Sequence, residues 1–103
     1  MNNIFHNIPH ELPEELVETL LESRILRIER IVSRGHCSEP EFWYDQDKNE
    51  WIILLSGKAE IEFWRSKKIF LGPGDYINIP AHKKHRVNMT DSKQNSVWLA
   101  IFY

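Results

Sequence analysis

Apolar and polar residues alternate along most of this chain with the two-residue period of a β-strand. From residue 25 onward the alternation recurs in seven short segments. They predict strands at residues 25–32, 51–55, 58–64, 69–71, 76–79, 85–89 and 97–103. Turn-forming residues such as Ser56-Gly57 and Gly72-Pro73-Gly74 separate them. Short strands joined by short turns pair with their neighbours, so the pattern predicts an antiparallel sandwich or small barrel.

One strand pair in this pattern is defined especially well. Residues 58–64 and 69–71 are joined by only four polar residues, a length typical of β-hairpin loops. Because side chains alternate across a strand, Ala59, Ile61 and Phe63 are expected to share one face of this hairpin.

The first 24 residues show a different pattern. Four apolar residues recur with helical spacing, at Leu16, Val17, Leu20 and Leu21. Pro13 suits the first turn of a helix, and the two glutamates after it suit the positive end of the helix dipole. We therefore expect one short amphipathic helix that packs on the sheet, preceded by an edge strand at residues 3–8.

Length and composition bound the kind of protein. A chain of 103 residues suits one domain, which we expect at residues 25–103, with residues 1–24 as an N-terminal extension. Hydrophobic residues make up 42%, enough for a real core, and no apolar run approaches the length of a membrane span. The N-terminus has no signal-peptide pattern, and the single cysteine, Cys37, excludes an internal disulfide. We expect a cytoplasmic protein without membrane contact.

Charge and aromatic content suggest the partners. The formal net charge is −2, and the one basic cluster, residues 82–86, neutralises few phosphates, so no nucleic-acid partner is expected. Residues 97–103 are apolar on both faces, which places them within a sheet. Together with the surplus of aromatic residues, this segment predicts a homodimer.

Two spaced motifs flank the predicted hairpin. Glu50 is followed by six residues and Gly57, while Gly74 is followed by five residues and Pro80, with His85 five positions further on. In these motifs the chain resembles a small single-domain cupin. The resemblance implies an all-β fold, an antiparallel cupin β-barrel or jelly roll, here with one short N-terminal helix. It also implies a small-molecule ligand inside the barrel.

The same resemblance indicates where a divalent metal would bind. Metal-binding cupins usually present two histidines, one residue apart, shortly before the motif glutamate. The corresponding positions are Tyr44 and Gln46, which share strand parity with Glu50, or Trp43 and Asp45 in an alignment shifted by one residue. The expected ligands are Gln46, Glu50 and His85, with Asp45 as the alternative to Gln46. Such mixed oxygen and nitrogen donors suit zinc, iron, nickel or manganese.

Two further residues are candidates for acting on a substrate. Tyr44 is an aromatic residue next to the expected site, and His82 stands where the second cupin motif normally has glycine. The resemblance thus predicts a small-molecule-binding cupin with a divalent-metal site in the barrel and no assigned reaction. The alternative is a metal-dependent cupin enzyme of the dioxygenase or isomerase type.

Glu50 is expected to be a buried carboxylate. It precedes the apolar strand 51–55 and has the parity of the side chains that enter the barrel. A buried carboxylate needs a partner, which a metal ion, Arg27, Arg30 or His85 could supply. An ion pair with a purely internal, orienting role is the alternative to a ligand-binding role. Without any partner, Glu50 would tend towards the neutral acid.

Overall fold

The computed structural model describes residues 1–103, which form eight β-strands and no helix. In chain order the strands are β1 Leu16–Glu22, β2 Arg27–Ser33, β3 Glu50–Ser56, β4 Ala59–Phe63, β5 Lys68–Leu71, β6 Tyr76–Ile79, β7 His85–Thr90 and β8 Ser96–Phe102. The strands predicted after residue 25 are confirmed, with small shifts at their ends. The predicted N-terminal helix is wrong.

The strands form two facing sheets of unequal size. The larger has the order β1-β2-β8-β3-β6 and the smaller the order β5-β4-β7, and all neighbouring strands are antiparallel. The buried core lies between them and consists of Ile52, Leu54, Ala59, Ile61, Phe63, Leu71, Ile79, Trp98, Ala100 and Phe102. The expected all-β, antiparallel architecture is confirmed.

β1 takes the place of the predicted helix. It pairs along its length with β2, from Leu16 opposite Val32 to Glu22 opposite Arg27. The register shifts between Thr19 and Leu21, so a bulge interrupts the two-residue alternation there. That interruption is why the apolar residues imitate a helical stripe. Long-range backbone pairing with β2 decides the conformation over local propensity.

Residues 3–8 also differ from expectation, because they form turns rather than an edge strand. They cover the outer face of β2, where the buried Arg30 donates hydrogen bonds to the carbonyl oxygens of Ile4 at 3.1 Å and His6 at 2.6 Å. Arg30 also forms an ion pair with Glu18 on β1. The N-terminal segment is thus tied to the large sheet, and the expected boundary at residue 24 falls in the turn between β1 and β2.

The predicted hairpin is confirmed as β4 and β5, with Ala59, Ile61 and Phe63 all buried. The motif residue Gly57 precedes it with a φ of 80°, a conformation that favours glycine. A Cβ at this position would lie 2.6 Å from the Cα of Ser96 on β8. Gly57 therefore allows the chain to cross from one sheet to the other against β8.

The apolar C-terminal segment forms β8, which lies inside the large sheet between β2 and β3. Its placement within a sheet is confirmed. No helix long and apolar enough to cross a membrane is present.

Candidate functional site

A cavity of about 280 Å³ opens between the two sheets, and we call it the barrel cavity. Its walls come from both sheets and from the segments before β1 and β3. The lining residues are Glu15, Val17, Arg27, Glu29, Ile31, Tyr44, Gln46, Glu50, Ile52, Ile61, His85, Val87, Trp98 and Phe102. Four residues from the sequence analysis, Tyr44, Gln46, Glu50 and His85, thus meet in one place.

The polar centre of the barrel cavity is the pair formed by Glu50 and His85. Glu50 opens β3 in the large sheet, and His85 opens β7 in the small sheet, so the two side chains meet across the interior. Glu50 Oε1 lies 3.3 Å from His85 Nε2, and the side chains are only 12% and 7% exposed. Of the partners considered for Glu50, the structure provides His85.

A backbone contact sets the orientation of His85. Its Nδ1 lies 2.9 Å from the carbonyl oxygen of Lys83. A carbonyl can only accept, so Nδ1 carries the hydrogen and a neutral imidazole presents the lone pair of Nε2 to Glu50. A carboxylate also only accepts. One proton between Nε2 and Oε1 is therefore needed to turn this contact into a charge-assisted hydrogen bond.

Gln46 and Tyr44 complete this centre. The side-chain amide of Gln46 donates to Glu50 Oε1 at 3.1 Å. The backbones of Tyr44 and His85 exchange two hydrogen bonds, of 2.7 and 3.1 Å. The Tyr44 ring stacks on the imidazole with 5.4 Å between ring centres. Tyr44, Gln46 and Glu50 thus all line the cavity, although bends at Asp47 and Lys48 interrupt the continuous strand assumed in the parity argument.

Burial and nearby charges shift the pKa of the Tyr44 phenol. Partial burial raises the pKa of Tyr44 above its ordinary value, and the negative charges of Glu15 and Glu50 raise it further. Both carboxylates therefore act on the same phenol at this end of the barrel cavity.

His82, the other candidate for acting on a substrate, lies outside the cavity. Its Nδ1 is 2.9 Å from Asp45 Oδ1, and the two side chains are 69% and 42% exposed. Its φ of 64° is in the left-handed region, which explains why glycine suits this motif position. Asp45, the alternative to Gln46, thus pairs with His82 in solvent, while Gln46 faces Glu50.

The two arginines considered as partners for Glu50 contact other groups instead. Arg30 points to the outer face of β2. In the paired register Phe102 stands between Arg27 and Glu50. The guanidinium of Arg27 accordingly lies over the Phe102 ring, 4.4 Å from its centre, and Arg27 Nε approaches Glu29 Oε2 to 3.0 Å. That contact is an ion pair whose N–H is not aligned for a hydrogen bond.

Sequence reasoning missed two acidic residues in the cavity wall. Glu29 has the parity of Arg27 and Ile31 on β2, so the two-residue period could have placed it there. Glu15 carries no such signal, because its segment imitates a helix. In the structure Glu15 lies just before β1, and its Oε2 accepts a 2.5 Å hydrogen bond from Ser33 Oγ.

Comparison with known proteins identifies the family. The sequence matches the cupin domain family over residues 30–102, most of the chain. This chain is a cupin. It is 42% identical to a protein of Ralstonia eutropha provisionally named a mannose-6-phosphate isomerase, covering 99% of this cupin and 95% of that chain at a TM-score of 0.95.

More distant structures share the cupin fold. A cupin superfamily protein of Desulfitobacterium hafniense is 24% identical with a TM-score of 0.76, covering 92% of this cupin and 82% of that chain. A polyketide cyclase of Streptomyces resistomycificus is 17% identical with a TM-score of 0.73, covering 87% and 65%. No functionally curated protein matches this cupin significantly.

Because this chain is a cupin, the barrel cavity is where a metal ion would be expected to bind. Protein metal sites commonly use three or more side-chain ligands of suitable type. Here Glu50 and His85 are two, and no cluster of three His, Cys, Asp or Glu residues could hold an ion. Gln46 directs its amide N–H groups, rather than its oxygen, towards Glu50. As oriented here, the residues present therefore offer two ligands to a divalent ion rather than the three expected.

Proposed function

We propose that this cupin binds a small organic molecule in the barrel cavity, with Glu50 and His85 as the polar groups that hold it. The observation that carries the proposal is the 3.3 Å contact between these two side chains inside a cavity lined largely by apolar residues. Small-molecule sites commonly combine an apolar wall with a few convergent polar groups.

The state of Glu50 also supports a ligand. Its Oε1 contacts Gln46 and His85, whereas its Oε2 has no hydrogen-bond donor within the protein. The residue is only 9% exposed. Oε2 is not itself a buried atom, so it is open to a donor from a ligand in the cavity.

The size of the cavity sets the first test. An apolar cavity of about 150 Å³ takes up benzene, so a cavity of this volume suits a substituted six-membered ring. Benzyl alcohol, benzylamine and benzoate form a panel with one skeleton and three charges. Protein-observed NMR at pH 7 should show at least one of them shifting the resonances of Tyr44, Ile61 and His85. If no panel member shifts these resonances at millimolar concentration, the proposal fails.

The chain itself offers a matched control. Glu50→Gln and His85→Ala should each weaken binding of the panel member by about fivefold or more. Asp45→Asn and His82→Ala change the same residue types in the exposed pair and should leave binding unaltered. Equal effects from both pairs would contradict a role for the buried pair.

The metal site predicted at Gln46, Glu50 and His85, and with it a dioxygenase or isomerase type of enzyme, stays a prediction. Elemental analysis of protein purified without added metal tests it. Stoichiometric zinc, iron, nickel or manganese, lost in both Glu50→Gln and His85→Ala, would support the enzyme alternative. Metal-free protein that binds the panel would support ligand binding alone.

The predicted homodimer is proposed for the face of the large sheet that points away from the cavity. There Trp51 packs near Tyr76, which is 66% exposed, with ring centres 5.5 Å apart. Sedimentation equilibrium should give twice the chain mass, and Tyr76→Asp should reduce it to the monomer. The cytoplasmic location and the absence of nucleic-acid partners also stay predictions.

A further inference from the structure

The charges that line the barrel cavity are unevenly balanced. Three carboxylates, of Glu15, Glu29 and Glu50, face one guanidinium, of Arg27, and one imidazole, of His85. Even if His85 carries a proton, the lining keeps one net negative charge. With His85 neutral, the excess is two.

The one guanidinium in the wall is already engaged. Arg27 pairs with Glu29 at 3.0 Å and lies over the ring of Phe102. Two wall nitrogens make no hydrogen bond, Arg27 Nε, whose N–H is not aligned with Glu29, and the indole Nε1 of Trp98, but both atoms are buried. An anionic ligand would therefore meet a cation whose charge is already neutralised.

Glu15 and Glu50, the two carboxylates outside the Arg27–Glu29 pair, each have one oxygen without a hydrogen-bond donor. Glu15 uses Oε2 to accept from Ser33, and its Oε1 has no donor. Glu50 Oε2 likewise has none, although the residue is 91% buried. Glu15, Glu50 and the Tyr44 ring all line the same cavity. Two carboxylates with free oxygens beside an aromatic ring make a typical environment for an ammonium group.

We infer that the natural ligand of the barrel cavity is an amine, whose ammonium group binds between Glu15 and Glu50 while its carbon skeleton packs on the apolar wall. The inference rests on the proposed function. It also disfavours a sugar phosphate, because a phosphate dianion would enter a lining whose carboxylates outnumber its cationic side chains.

The charge series in the binding panel tests the inference at constant skeleton. At pH 7 benzylamine should bind about tenfold or more tightly than benzyl alcohol, and benzoate should bind more weakly still. Mannose 6-phosphate, added as a sugar phosphate of a different skeleton, should also bind more weakly than benzyl alcohol. Glu15→Gln keeps a side-chain oxygen that can accept from Ser33 and removes the charge, and it should abolish most of the amine's advantage. The same variant should leave binding of benzyl alcohol unchanged, and Asp45→Asn should change neither.

The possible outcomes separate the two proposals. If benzyl alcohol or benzoate binds in the cavity as tightly as benzylamine, the ligand class is wrong and the proposed binding function stands. If the amine's preference survives both Glu15→Gln and Glu50→Gln, the assigned carboxylates are wrong and the inference is overturned. If no compound binds in the cavity, the inference falls together with the proposed function.

Discussion

The Glu50–His85 and Asp45–His82 pairs use the same two kinds of side chain, yet one lies inside the barrel and the other in solvent. Their histidines are three residues apart, and their acids five. The buried pair joins the two sheets at 3.3 Å, and the exposed pair joins two loops at 2.9 Å. The shorter contact is not the more consequential one, because solvent screens the exposed charges while the interior does not.

The largest expected difference between the pairs is in folding stability. His85→Ala leaves Glu50 buried with only the Gln46 amide, which should lower the free energy of unfolding by about 3 kcal/mol. His82→Ala keeps the same strained backbone and should cost less than about 0.5 kcal/mol. Urea denaturation of both variants measures the difference. Equal losses would show that burial does not distinguish the pairs.

The second prediction concerns the donor that only the buried pair has. Gln46→Leu removes the amide that donates to Glu50 Oε1, which should cost about 1–2 kcal/mol of unfolding free energy. Gln94→Leu is the control, since the Gln94 amide donates to Asp91, which keeps a second donor in the backbone N–H of Lys93. A Gln46→Leu variant as stable as the wild type would mean that Glu50 does not need this donor.

The third prediction concerns how the stability loss of each variant depends on salt concentration. Asp45→Asn should lower the unfolding free energy by about 0.5 kcal/mol or less at low salt, and by nothing measurable in about 1 M NaCl, where the screening length is about 3 Å. The loss caused by His85→Ala should persist at both salt concentrations. Denaturation curves at the two concentrations test this, and a salt-sensitive loss in His85→Ala would argue that solvent reaches the buried pair.

The smallest expected effect is on the titration of Tyr44. Because its pKa is raised, the native phenol keeps its proton where an unfolded tyrosine, with a pKa of about 10, loses it. The associated stability is therefore present below about pH 10 and is lost as pH rises towards the native pKa. Glu50→Gln removes one cause of the shift and should lower the pKa of Tyr44, whereas Asp45→Asn should not.

Tyrosinate absorbance measures this titration, and Tyr44→Phe assigns the late-titrating phenol. If Asp45→Asn lowers the pKa of Tyr44 as much as Glu50→Gln does, the two acids act on the cavity alike and the contrast between the pairs is lost.

Local features carried most of the fold prediction and part of the site prediction. The alternation after residue 25 and the turn residues located the strands, and the two motifs indicated the cupin family. Tyr44 and Gln46 line the cavity with Glu50 as expected, but bends at Asp47 and Lys48 separate them from β3, so the parity rule does not account for their placement. The same rule could not give the partner of Glu50. Arg27, Arg30 and His85 were all compatible with it.

The N-terminal error has a definite cause. A bulge in β1 broke the two-residue period, and the broken period matched a helix over one stretch of the chain. Only pairing with β2, which the sequence of β1 does not display, makes the segment a strand. Because of the same error, the sequence analysis did not predict that Glu15 lines the cavity together with Glu50.

The sequence by itself determined the family, the strands after residue 25 and the face shared by Ala59, Ile61 and Phe63, because these depend on local period and spacing. The tertiary structure decided which acid pairs with which histidine, which pair is buried and how the cavity is charged. These properties depend on how two sheets meet across the interior, and contacts between residues far apart in the chain leave no local pattern.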